Sequence, residues 1–212
     1  MKLQPWACAL LAGLAGLCGA QDSPPPLQLS GTWTLDAALA AEPARPSTHR
    51  LQLALVTLQD TRWTPEAILD ATLAAARILG QCGIRLQRAE LQQFSGGPPA
   101  YRNLWTPASR EFARRLILAR PAVFFVEGTR HRPAFEAEAF GPANTRTRPE
   151  LTNTVWITAD ARDLPVVLAH ELVHVLAGSG EHADDPGNLM REETAPDATR
   201  LKPAQCESMI TN

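Results

Sequence analysis

The stretch from His170 to Met190, HELVHVLAGSGEHADDPGNLM, holds three of the five histidines of this 212-residue chain. Asp163-Leu164-Pro165 reads as a helix start with Pro in the first turn. Val166, Ala169, Val173 and Leu176 then recur at three- and four-residue steps, which gives the helix a buried face. His170 and His174 are four apart, so they sit one turn apart on the same side. Gly178-Ser179-Gly180 ends the helix and lets the chain turn sharply.

Two imidazoles so placed can reach one Zn²⁺ at about 2.0–2.1 Å while the helix fixes their directions. Glu171 projects beside the first of them, outside the ligand set, where it can take a proton from water. A hydrolytic zinc site needs a third protein ligand and one open position. His182, brought back beneath the ion by the glycine break, is the first candidate and completes a tri-His set. Glu181, Asp184 and Asp185 are the alternative donors, since carboxylates also bind zinc. Asp184-Asp185-Pro186-Gly187 is on its own terms a turn sequence, and nothing else in the chain supports a calcium role for its aspartates. Met190 reads as a gap-filling core residue. A helix whose histidines are merely buried or solvated carries the same HExxH letters. The third histidine after a glycine break, together with signs of export, favours the metal.

Those signs are at the N-terminus. MKLQPWACALLAGLAGLCGA has one basic residue, an apolar run from Trp6 to Leu17 and small residues Cys18-Gly19-Ala20. It reads as a cleaved secretory signal, with Gln21 as the mature start. The apolar run is short and Gly-rich for a membrane span, and Leu17 disfavours a lipoprotein site at Cys18. Secretion or export to a periplasm is therefore expected. Residues 21–49, rich in Pro, Ala and Ser, read as a loosely structured leader. Residues 50–212 form a single domain, large enough for a proper core. The 20 basic and 22 acidic residues balance to −2, which gives no electrostatic case for nucleic acid or for an anionic membrane. A monomer that stays off the membrane after signal removal is expected. Cys82 and Cys206 outlast the signal, and in an oxidising compartment one disulfide is the natural reading. The alternative is two unpaired buried thiols.

The elements alternate. RLQLALVTL suits a strand over residues 51–58, and Thr64-Pro65 starts a helix that stops at Gly80. GIRLQRAELQQF reads as a second strand and Gly96-Gly97-Pro98-Pro99 as a loop. A helix runs from Thr106-Pro107 through Leu118, followed by the buried strand PAVFFVEG. His131 and Arg132 after it read as solvated loop residues, the alternative being that they face the cleft. Two further strands lie around residues 138–141 and 153–159. This order gives an α+β (α/β-like) fold with a mostly parallel twisted sheet.

The stretch from His170 resembles the metzincin clan of zinc metallopeptidases, whose signature is HExxHxxGxxH followed by a methionine turn beneath the metal. His170, Glu171 and His174 match in register, while Gly178 and His182 fall one and two residues late. From His182 onward, Pro186, Leu189 and Met190 fall at the offsets of the matrixin stretch from third histidine to Met-turn. The resemblance implies a zincin fold with an antiparallel edge strand, a long active-site helix, a Met-turn under the site at Met190 and a C-terminal helix starting near Lys202-Pro203. It implies that Ala139-Phe140-Gly141 belongs to a substrate-binding edge strand, and that the C-terminal helix brings Cys206 near Cys82. Two clan features differ here: Arg191 follows Met190 where a tyrosine is found, and no cysteine-switch prosegment is evident, Gln81-Cys82-Gly83 being only superficially similar. The resulting expectation is a secreted or periplasmic zinc endopeptidase acting on peptides or proteins, with one catalytic Zn²⁺ and Glu171 as general base. The rivals are a zinc amidase or esterase on the same scaffold, a non-catalytic zincin-like binding protein, and a metal-free, disulfide-bonded export protein.

Overall fold

The computed structural model describes residues 23–36, 49–132 and 134–211; the expected signal sequence lies outside them. The chain runs β1 (Gln28–Asp36), β2 (His49–Leu58), α1 (Pro65–Leu79), β3 (Ile84–Ser95), β4 (Asn103–Leu104), α2 (Thr106–Arg115), β5 (Ala122–Val126), β6 (Gly128–Thr129), β7 (Ala137–Phe140), β8 (Thr154–Thr158), α3 (Leu164–Ala177) and α4 (Pro203–Thr211). Six strands form one sheet in the order β1-β3-β2-β5-β8-β7. Its four inner strands are parallel, and β1 and β7 close the two edges antiparallel. The mostly parallel sheet with an antiparallel edge at β7 was expected; the second antiparallel edge was not.

Helices cover both faces, which is why the inner strands are apolar at successive positions. In AVFFV of β5, Val123 and Phe125 join the core beneath α1, α3 and α4, while Ala122, Phe124 and Val126 join a second core beneath α2. Trp156 of β8 stacks on Phe124 at 4.1 Å and meets Phe112 of α2 edge-on at 6.4 Å. α3 packs between α1, α4 and the β7–β8 pair. Its buried residues therefore exceed one stripe and run unbroken from Val166 to His170.

Two expectations change. Residues 28–36 lie inside the leader, yet they form β1, paired with β3 from Gln28↔Ser95 to Asp36↔Arg88. Gly31, Trp33 and Leu35 face inward while Thr32, Thr34 and Asp36 face solvent, a period of two that the Pro/Ala-rich surroundings mask. Pro25 also accepts a hydrogen bond from Gly97 N at 2.8 Å, which ties the leader to the loop after β3. Next, α2 ends at Arg115 rather than Leu118. Leu116 and Leu118 pack against the second core while Ile117 between them is fully exposed, an alternation only extended backbone produces. α1 ends at Leu79 with Gly80 as its cap, as expected; Gly80 keeps right-handed helical angles, the chain goes on as a 3₁₀ turn, and the left-handed turn falls at Gly83, whose φ is +73°.

Cys82 and Cys206 form a disulfide, Cα to Cα 5.0 Å, across 124 residues. It anchors α4 to the turn after α1, and a loop of that length stabilises by about 4–5 kcal/mol in the chain-entropy model. Such a bond persists in oxidising surroundings. Among the described residues, no helix is long and apolar enough to cross a membrane.

Candidate metal centre

α3 delivers two imidazoles. His170 is 3 % exposed and His174 partly buried, with ring centroids 4.6 Å apart. Gly178 ends the helix at φ +61°, and its N–H and that of Ser179 reach back to the last turn's carbonyls. The chain then turns beneath the helix and places the exposed His182 ring 5.3 Å from His170 and 4.9 Å from His174. One nitrogen from each ring lies within 4.8 Å of the others, and the described residues contain no other such group of His, Cys, Asp or Glu side chains. Three expected ligands thus converge, in a set able to hold one metal ion.

The backbone fixes how two of these rings are used. His170 Nδ1 lies 2.8 Å from the Leu189 carbonyl and His174 Nδ1 2.7 Å from the Ser179 carbonyl. A carbonyl only accepts, so both Nδ1 atoms carry the proton and donate. Burial pulls the His170 imidazole down to about 4, against the Leu189 carbonyl and aided by the neighbouring His174 and His182. Burial likewise lowers His174, opposed by the Ser179 carbonyl and aided by His182. Both rings are therefore neutral at pH 7, and their Nε2 lone pairs confront each other at 2.9 Å. Two lone pairs that close repel unless a cation lies between them. This is the donor chemistry of a metal site.

Glu171, one position from His170, is pushed up to about 8, chiefly by burial and then by the charge of Glu138. A divalent cation at the imidazoles would oppose that shift. Glu138, on β7, has one carboxylate oxygen shut from solvent and without a partner, and burial raises its carboxyl against the nearby Arg148. The three histidines, Glu138 and Glu171 line one cleft of about 400 Å³.

The expected edge-strand residues divide. Ala139 and Gly141 line this cleft, whereas the Phe140 side chain is fully buried in the second core, beneath the Arg148 guanidinium at 4.9 Å. Glu136 O accepts from Thr158 N of β8, so in the antiparallel ladder the alternate residues Ala137 and Ala139 turn their N–H and C=O outward, to the open edge. Asn144 Nδ2 donates to Ala139 O at 3.2 Å.

Met190 is 3 % exposed and lines a small cavity with Val173 and His182. Its turn is held by a residue the sequence reading passed over. Asn188, 1 % exposed, accepts from Met190 N at 2.9 Å and pairs reciprocally with the Gln205 amide of α4 at 3.0 and 3.1 Å. That places the Leu189 carbonyl under His170. Asp185 Oδ1 accepts from Gly187 N and faces Arg200 at 3.6 Å, so this carboxylate is engaged in the turn. His131 lies in the loop after β6, half-buried, with its ring 5.6 Å from that of Phe135.

No family model matches this chain, and no curated protein is significantly similar to it.

Proposed function

We propose that the chain is a zinc-dependent endopeptidase of metzincin type, exported to an oxidising compartment, either secreted or periplasmic. The observation that carries the reading is the set of three converging imidazoles, two with their protons committed to backbone carbonyls, beside the half-buried Glu171. His170, His174 and His182 would hold the ion. The Nε2 atoms of His170 and His174, both without a proton and 2.9 Å apart, suit a shared divalent ion, and a nitrogen of His182 lies within 4.8 Å of them. When bound, zinc supplies Lewis acidity, polarising a carbonyl and acidifying water toward neutrality.

The chain's own residues do the rest. Glu171 accepts the proton of the attacking water and returns it to the leaving amine nitrogen. In the metal-free chain burial and the Glu138 charge disfavour its carboxylate; a divalent cation held by the imidazoles would restore the carboxylate that the proton-accepting step needs. The outward N–H and C=O groups of Ala137 and Ala139 offer an extended peptide a strand to pair with. That peptide would displace the Asn144 amide from Ala139 O. Met190 and Asn188 keep the floor of the site fixed without touching substrate.

The test is elemental analysis together with cleavage of an unfolded-protein or peptide library. We expect one zinc per chain, its loss in His170→Ala, His174→Ala and His182→Ala, and cleavage that a chelator stops and zinc restores. Glu171→Gln should keep the metal and lose about 10²–10⁴ in rate. Equal cleavage by Glu171→Gln, or full zinc retention by His182→Ala, overturns the mechanism. Hydrolysis of esters or side-chain amides with peptide bonds spared would transfer the site to a different hydrolase class.

A further inference from the structure

A second cavity, about 430 Å³, opens beside the cleft and shares His170 and Glu171 with it. Phe135 and Val167 wall it, and Glu136, Asp163, Glu192 and Glu193 surround it. These residues come from three separate segments: the run into β7, the start of α3 and the chain just after Met190. With Glu171, five carboxyl groups line the cavity against one guanidinium, Arg162. That guanidinium lies 4.0 Å from Glu136 with its side chain 89 % exposed. Asp163 occupies the N-cap position of α3 but makes no side-chain capping bond. Among the described residues, Asp163, Glu192 and Glu193 form no salt bridge.

A metal ion does not explain this excess of negative charge. The carboxylates ring the space without converging, and the three imidazoles are the sole group of described residues close enough to hold an ion. The apolar wall points instead to an organic cation. The Phe135 ring stacks on His131 at 5.6 Å, and the His131 backbone N–H donates to Thr129 Oγ1 at 3.0 Å. An aromatic face beside Val167 suits a long aliphatic stem, and a rim of carboxylates suits a positive head that stays partly hydrated.

We propose that this cavity is a specificity pocket that takes the side chain of a lysine or arginine next to the cleaved bond. The proposal rests on the peptidase reading, because it needs a substrate chain crossing the tri-histidine cleft. The stem of the basic side chain lies along Phe135 and Val167, and its head is shared among Glu136, Asp163, Glu192 and Glu193. Each exposed pair is weak alone; their sum sets the preference, and salt screens it.

The discriminating pair of substrates is two peptides that differ only in lysine against norleucine at that position, which isolates the ammonium group. With the zinc-loaded full chain, kcat/KM should favour lysine about tenfold or more, and raised NaCl should shrink the ratio. The double variant Glu136→Gln/Glu193→Gln should bring the ratio toward one, a change that mere destabilisation, slowing both peptides alike, does not produce. Dissociation constants of the same two peptides for the zinc-loaded Glu171→Gln protein give a second measurement that needs no turnover. Norleucine binding and reacting as well as lysine overturns the proposal, as does a lysine preference untouched by the double variant. If no peptide bond is cut but the binding preference holds in Glu171→Gln and disappears when Glu136→Gln and Glu193→Gln are added to it, the peptidase reading falls and the cation pocket stands.

Discussion

Asn188→Ala tests whether the methionine turn orients the metal ligands or merely fills space. The amide of Asn188 makes three hydrogen bonds, one to Met190 N and two with the Gln205 amide, from a side chain almost fully out of water. At about 1 kcal/mol for each bond, with a further penalty for the Met190 N–H left buried without an acceptor, the loss comes to about 3–4 kcal/mol. A domain of this size has roughly 5–15 kcal/mol to lose and shifts its Tm by about 2–4 °C per kcal/mol, so the variant should stay folded with a Tm lowered by roughly 10 °C. The functional consequence runs through Leu189. Its carbonyl accepts the His170 Nδ1 proton at 2.8 Å, and loosening such an outer partner typically costs 10–100-fold in metal affinity. Zinc affinity measured by chelator competition is the readout. Leu104→Ala is the control, because Leu104 is fully buried in the second core on the opposite face of the sheet and its truncation costs a comparable 2–5 kcal/mol. If Asn188→Ala binds zinc within about twofold of Leu104→Ala, the turn does not orient His170 and that part of the reasoning is wrong.

Metal-free protein should lose stability between about pH 6.5 and 8. Folded Glu171 keeps its proton to about pH 8 whereas the unfolded chain releases it near 4.5, so the folded state binds more protons and stability falls as pH rises. Below 6.5 the depressed His170 and His174 work in the opposite sense and offset the fall. The net loss is about 2 kcal/mol, from about 1.5 pH units at 1.36 kcal/mol each, and urea unfolding with chelator present should show it disappear in Glu171→Gln; an unchanged slope there refutes the assignment. Cys82→Ser/Cys206→Ser should cost about 4–5 kcal/mol in the same assay, and zinc affinity should fall with it because α4 carries Gln205. Leu35→Ala should lose about 2–3 kcal/mol, since Leu35 is 4 % exposed in the core beneath α1; a neutral result would return residues 28–36 to the status of a dispensable leader.

What the sequence displayed and what it hid follow one physical division. Features set within a few residues were legible: the period-two strands, the Thr64 cap that accepts from Ala67 N at 3.2 Å, and the four-residue step from His170 to His174. Two of the missed boundaries were also local, but they lay in the wrong period for the segment assigned. Leu116 and Leu118 alternate about Ile117 inside what looked like a helix, and Trp33 and Leu35 alternate inside what looked like a leader. The rest of the site is non-local, and no spacing could carry it. The acceptors that fix the imidazole tautomers are main-chain carbonyls of Leu189 and Ser179, which leave no mark on residue identity. The Asn188–Gln205 amide pair spans 17 residues, and the Gln81 side chain reaches from the end of α1 to Thr199 O and Leu201 N. The disulfide joins the same two regions. The helix therefore sets two candidate ligands by itself, while the floor beneath them depends on a tail tied to the turn after α1 by Gln81 and the disulfide and to α3 by the His170–Leu189 hydrogen bond. Metal affinity should then track the integrity of that tail as closely as it tracks the histidines. The acidic cavity obeys the same division, because Glu136, Asp163 and Glu193 are unremarkable in sequence and become a single electrostatic feature only where β7, α3 and the turn after Met190 meet.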